Sequence, residues 1–220
     1  MVNIFVKSFI ISLFLFLIGI GIGMGIEKID STGLFAKTTS IENSIQEIEL
    51  EMLYFQNLNS STSCTFLNDI LGKTNNNLDI LSSQLEKYSD RNIIFTGDLA
   101  DIKEKYTGLA IKSWLLNEQI KTNCGPKSAS LLYFYQTQNC NDCAVQGNIL
   151  TNLKQTYKDK LLVYPLDVGV KLDLINILQE RYNITSFPSV VIGDTVFKGI
   201  VGKGDIIPLI CQQLGNVTGC

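Results

Sequence analysis

Beyond Ser128 the chain switches between extended and helical patterns in an order that few folds accommodate. "ASLLYFYQ" (129–136) is an apolar and aromatic run of strand character, and "KLLVYPLDV" (160–168) is a second. Between them, Val145, Ile149, Leu150 and Leu153 recur at helical spacing. "LDLINILQERY" (172–182) reads as another helix, and "FPSVVIGDTVFKG" (187–199) as a hairpin turning at Gly193-Asp194. "GDIIPLICQQLG" (204–215) closes with a helix, in which Pro208 is tolerable only in the first turn. The order is β-α-β-α-β-β-α: two parallel βαβ-like steps and a hairpin, which make an open mixed sheet with helices over its faces.

Into this pattern falls "QNCNDCAVQG" (138–147), with Cys140 and Cys143 directly after the first strand and opening the first helix. A thiolate is the reactive form of cysteine, and unpaired N–H groups at a helix N-terminus favour it. Cys140, earlier and more exposed, is the expected nucleophile, and Cys143, one turn in, the expected resolving thiol. Two other readings stand beside the redox pair: a metal- or copper-handling site, and an inert disulfide in a binding or scaffold module. The chain has no histidine, so a metal reading has two thiolates and an incomplete ligand set.

These residues resemble the thioredoxin-like superfamily in its minimal, glutaredoxin-sized form, over about residues 128–215. The likeness rests on the CxxC after the first strand, on Pro188 at the start of the third, on Asp167 at the end of the second, and on Gly202 before the last helix. It implies a protein thiol–disulfide oxidoreductase with no diffusible cofactor and no metal. It also implies a cis bond before Pro188, with the backbone of Phe187 pairing with an extended substrate segment. The sequence departs from the family at three points. Asn139 stands where a tryptophan is common, Asn141-Asp142 replaces Gly-Pro, and Tyr133 or Phe134 stands where thioredoxins keep a buried acid. Asn141 and Asp142 are therefore candidate modulators: an inward carboxylate beside the thiols raises a thiolate pKa, against the helix dipole. The direction of electron flow is open, since CxxC couples span about −270 to −120 mV.

Ahead of this domain, "SFIISLFLFLIGIGIGMGI" (8–26) is as long as a bilayer-spanning helix needs. A retained anchor is the favoured reading and a cleaved signal peptide the rival, since Gly23-Met24-Gly25 has a small-x-small pattern. Either places the bulk of the chain outside the cytoplasm, with Lys7 on the inner side. Gly19, Gly21, Gly23 and Gly25 offer small-xxx-small spacing for helix association. The formal net charge of −3 supplies no basic stripe for nucleic acid. The expected partners are protein thiols or disulfides, an unidentified membrane or envelope redox protein, and the membrane itself through the N-terminal helix.

Residues 39–121 read as helices, with Thr39 and Glu42 as a capping box, a break at "NSSTS" (59–63), and "GKTNNN" (72–77) as a kink or interruption. Asp98 is the candidate cap of the last run, which ends at "NCGP" (123–126). The domain expectation is an anchor over 1–30, a helical module over 31–123 and the thioredoxin-like domain over 124–220.

Six cysteines, an even number, suit an oxidising compartment, and Asn59, Asn183 and Asn216 head Asn-x-Ser/Thr triplets. Setting aside 140 and 143, Cys64 and Cys124 meet at one end if the helices form a hairpin, leaving Cys211 with Cys220. The other two pairings of these four remain open, as does a free Cys220.

Overall fold

A computed structural model describes residues 7–9, 11–20, 44–51, 53, 63–90 and 96–215. The chain divides into two compact units, Met1–Glu49 and Leu50–Cys220. In the first, residues 7–9, 11–20 and 44–49 are helical. Among the described residues no helix is long and apolar enough to cross a membrane. The expected span is described only at 8–9 and 11–20; Ile10, residues 21–26 and the Thr39/Glu42 capping box lie outside the described residues.

In the second unit the elements are α1 (Ser63–Asp90), α2 (Thr96–Cys124), β1 (Ala129–Tyr135), α3 (Asn141–Tyr157), β2 (Leu161–Asp167), α4 (Asp173–Arg181), β3 (Ser189–Ile192), β4 (Thr195–Lys198) and α5 (Lys203–Leu214). The sheet order is β2-β1-β3-β4. β1 runs parallel to β2, while β3 is antiparallel to both β1 and β4. The mixed α/β arrangement and the element order are those read from the sequence, but only the first of the two expected parallel βαβ steps forms: β3 runs antiparallel to β1, so the connection through α4 reverses the strand direction. Gly193, at φ 58°, takes the first position of the two-residue β3–β4 turn, where a left-handed backbone favours glycine.

The alternation of β1 decides what each face of the sheet buries. Ala129, Leu131 and Tyr133 pack with Leu150 and Leu153 of α3 and with Ile206, Ile210 and Leu214 of α5. Leu132 and Phe134 point the other way, into a cluster with Ile175 and Leu178 of α4 and with Ala110, Ile111 and Trp114 of α2. Phe134 is fully buried there, a contribution of about 1.5–3 kcal/mol on transfer alone. The last helix of the N-terminal helical segment thus completes the core of the sheet.

α1 and α2 pair as an antiparallel hairpin, with Ser113 Oγ donating to Asn75 Oδ1 at 2.7 Å. Where β3 runs out alongside β1, the Gln213 side chain of α5 takes over as a pairing partner. Its Oε1 accepts from Ser130 N at 2.9 Å and its Nε2 donates to Ser130 O at 3.1 Å.

Three local expectations need correction. "GKTNNN" does not interrupt α1, which is one helix of 28 residues. Thr74 and Asn77 are buried, and Thr74 Oγ1 donates to the Ile70 carbonyl at 2.8 Å, so packing overrides the weak helix propensity. α2 starts at Thr96, so Asp98 lies inside the helix instead of before it. Pro208 sits past the first turn of α5, which begins at Lys203. Both Pro208 and Gly204, the residue whose carbonyl loses its helical donor, are exposed, so that carbonyl can turn to solvent.

Candidate functional site

Residues 136–139 leave β1 exposed, and Asn139 takes a left-handed backbone (φ 56°), which asparagine adopts more readily than most residues. The chain then enters α3 with Cys140 as its N-cap, in a non-helical conformation and without a side-chain capping bond. Cys140 is half-buried; Cys143, one turn further, is 5 % exposed. The two are joined by a disulfide with Cα atoms 5.3 Å apart, and Cys143 N donates to Cys140 O at 3.2 Å.

Asn141 and Asp142 occupy the first turn of α3, where backbone N–H groups have no intrahelical acceptor. Both side chains are exposed, so the inward carboxylate considered for Asp142 is not the arrangement found. Asp142 and a Cys140 thiolate draw on the same positive end of the helix, the former from the solvent side.

Behind the disulfide the packing is neutral. Tyr133, from β1, donates its hydroxyl to the Cys143 carbonyl at 2.5 Å, and burial pushes its phenol up to about 12. Its ring stacks on Tyr135 with centroids 5.3 Å apart. Gln146, on the buried face of α3 with Cys143, accepts from Val201 N at 2.8 Å and so ties the helix to the loop before α5. Of the two positions weighed as replacing a buried acid, Tyr133 is the one that reaches the pair; Phe134 faces the opposite core.

Pro188 lies at the same end of the sheet as the exit from β1. Phe134 pairs with Ser189, which sets Pro188 level with Tyr135, and the Phe187–Pro188 bond is cis. Pro188 is buried, Phe187 is half-buried, and Gly199 N donates to Pro188 O at 2.8 Å.

Asp167, opposite Tyr135 at the end of β2, gathers an ion pair that the sequence reading did not anticipate. Lys103 of α2 lies 2.9 Å from Asp167 Oδ2, Thr137 Oγ1 donates to the same oxygen at 2.7 Å, and Gly169 N donates to Oδ1 at 3.0 Å. Burial of Asp167 opposes its charge. The hydrogen bonds from Thr137, Lys103 and Gly169, with the Lys103 charge, outweigh that and hold the carboxyl below its usual range. The signal in the sequence was Asp167 itself, an acid ending an otherwise buried strand. Lys103 could not be assigned to it across 64 positions.

Of the remaining cysteines, Cys64 and Cys124 are joined, with Cα atoms 5.7 Å apart, at the open end of the α1–α2 hairpin. Cys211 is also disulfide-bonded. Cys220 lies outside the described residues, as do Asn59 and Asn216; Asn183 is exposed in the turn after α4. Among the described residues no group of three or more His, Cys, Asp or Glu is placed to hold a metal ion.

The position of Cys140 at the head of α3 and the cis bond before Pro188 are those the thioredoxin-like resemblance implies. No family model matches the chain, and no curated protein does. Solved structures are similar over part of it. One is described as a malarial protein, with 22 % identity over 40 % of this chain and 100 % of its own, at a TM-score of 0.32. Another is thioredoxin-2, a component of malaria parasite protein secretion machinery, with 20 % identity over 39 % of this chain and 82 % of its own, TM-score 0.32. A third is chloroplastic thioredoxin z, with 21 % identity over 43 % of this chain and 87 % of its own, TM-score 0.33.

Proposed function

We propose that the protein is a thiol–disulfide oxidoreductase acting on protein thiols or disulfides through Cys140 and Cys143. The observation that carries this reading is the asymmetry of the pair. Cys140 caps a helix N-terminus at the edge of an exposed loop, while its disulfide partner Cys143 is buried one turn inside. A thiolate formed at Cys140 gains from the helix end, and Cys143 is shielded from all but an attached partner.

In the reducing direction, the Cys140 thiolate attacks a substrate disulfide sulfur, the substrate S–S bond breaks, and one substrate thiolate departs. Cys143, as thiolate, then attacks Cys140 Sγ, closes the 140–143 disulfide and releases the second substrate thiolate. The oxidising direction is the reverse sequence. Which one runs depends on the potential of the pair against that of its partner.

The compartment is part of the same proposal. An even set of six cysteines and the apolar run over 8–26 favour an extracytoplasmic, membrane-anchored protein that exchanges electrons with a membrane or envelope redox protein. Alkali-extraction of membranes carrying the full chain tests the anchor: a retained chain supports it, and a chain released into the supernatant contradicts it.

The chemistry is tested by Cys143→Ala. Mixed with a disulfide-containing unfolded protein, this chain accumulates a mixed disulfide through Cys140, and Cys140→Ala/Cys143→Ala accumulates none. Equal trapping by the two variants contradicts the reading.

A further inference from the structure

A cleft of about 730 Å³ opens beside the candidate dithiol, within the size range of pockets that enclose a drug-sized ligand. One wall is the first part of α2, with Leu99, Ala100, Lys103 and Glu104; the opposite walls are the loops 136–139 and 169–171. The Lys103–Asp167 pair spans from one wall to the other and fixes α2 against the end of β2. Because α2 lies before β1, the cleft exists only where the helical segment meets the βαβαββα sheet.

We infer that this cleft binds the polypeptide of the substrate on one side of its reacting cysteine, so that α2 forms part of the substrate site. This rests on the redox reading of Cys140 and Cys143. Three features select a polypeptide over a small thiol or an anion. The loop wall runs through Asn139 directly into Cys140, so chain flanking a substrate sulfur at Cys140 must pass over its rim. That wall presents the exposed amides of Gln136, Gln138 and Asn139, each both donor and acceptor, which is what a peptide main chain requires. Residues 136–139 make no backbone–backbone hydrogen bond among the described residues, so their own N–H and C=O groups are open to an extended segment. The charges at the site do not favour an anion: Lys103 is neutralised by Asp167, and the other two charged residues lining the cleft, exposed Glu104 and exposed Lys171, are of opposite sign.

In the oxidising direction, the step served is transfer of two electrons from a dithiol peptide to the oxidised pair. A peptide thiolate attacks Cys140 Sγ, the 140–143 bond breaks with its electron pair on Cys143, and the second peptide thiolate displaces Cys140 as the peptide disulfide closes. Cys140 and Cys143 take up the two protons released by the peptide.

Ala100 and Glu104, one turn apart on α2, allow the cleft to be filled without touching the cysteines. The test compares Ala100→Trp and Glu104→Trp with the unaltered full chain. Second-order rate constants for reduction of the oxidised pair are measured with dithiothreitol and with a linear dithiol peptide of about a dozen residues, long enough to span the cleft. The expected result is a fall of about tenfold with the peptide and an unchanged rate with dithiothreitol. A peptide-to-dithiothreitol rate ratio that stays at the unaltered value in both variants overturns the inference, whether or not the two rates fall together. An unaltered chain whose 140–143 disulfide is inert to dithiothreitol instead overturns the redox reading, and the substrate cleft with it.

Discussion

Lys103 of α2 holds its ammonium 2.9 Å from the carboxylate of Asp167 at the end of β2, joining the helical segment to the sheet beside the candidate dithiol. Asp167 is almost completely buried and Lys103 only partly exposed, so removing the cation leaves a carboxylate with two neutral donors and little water. Lys103→Met is expected to cost about 1–3 kcal/mol in urea unfolding at neutral pH. The folded-state pKa of Asp167 lies below its unfolded value, so its contribution is full above about pH 4 and is lost as pH falls through the folded value. The stability gap between the unaltered protein and Asp167→Asn should therefore narrow as pH is lowered below about 4. Unfolding curves collected across the acid range check this, and a constant gap would show that the charge of Asp167 contributes nothing.

Buried tyrosines bring the opposite pH dependence. Burial pushes Tyr106 and Tyr133 up to about 12 and Tyr135 and Tyr164 higher still. A phenol whose folded pKa exceeds its unfolded value stabilises the fold fully below about pH 10, and that stabilisation is lost as pH rises through the folded value. Between about pH 10 and 12 the protein is expected to lose stability, with tyrosinate absorbance rising together with unfolding. Tyr133→Phe should flatten part of that alkaline decline, while costing about 0.5–1.5 kcal/mol at neutral pH for its bond to the Cys143 carbonyl. An unchanged alkaline slope in Tyr133→Phe would contradict the assignment.

The Cys64–Cys124 disulfide joins residues 60 apart in sequence and clips the ends of α1 and α2 together. Chain-entropy reasoning gives about 4 kcal/mol for a loop of that length. The double variant Cys64→Ala/Cys124→Ala should lose up to that amount in urea unfolding while retaining the exchange rate of the 140–143 pair with dithiothreitol. A matching loss of exchange would mean that this disulfide takes part in the redox chemistry.

Periodicity made much of this architecture legible before the structure. β1 alternates inward residues between two cores, and α3, α4 and α5 each carry an apolar stripe, so strands and helices could be read with their order. The CxxC at the start of α3 and Pro188 at the start of β3 could be placed because both are local signals at element ends. What escaped depended on distant neighbours. "GKTNNN" looks like a break until Thr74 and Asn77 are buried, and Pro208 looks confined to a first turn until its exposed face is seen. The Lys103–Asp167 pair and the contact from Tyr133 to Cys143 arise from tertiary packing, which neither charge pattern nor spacing encodes.

The placement of Cys140 at the head of α3 and of Cys143 beneath it has one most direct test, the equilibrium reduction of their disulfide in the folded full chain. Dithiol buffers of graded potential, with alkylation of the freed thiols and peptide mapping, give the midpoint. The expected result is a reversible two-electron transition between about −270 and −120 mV. A 140–143 disulfide that opens only when the protein is unfolded would contradict the account.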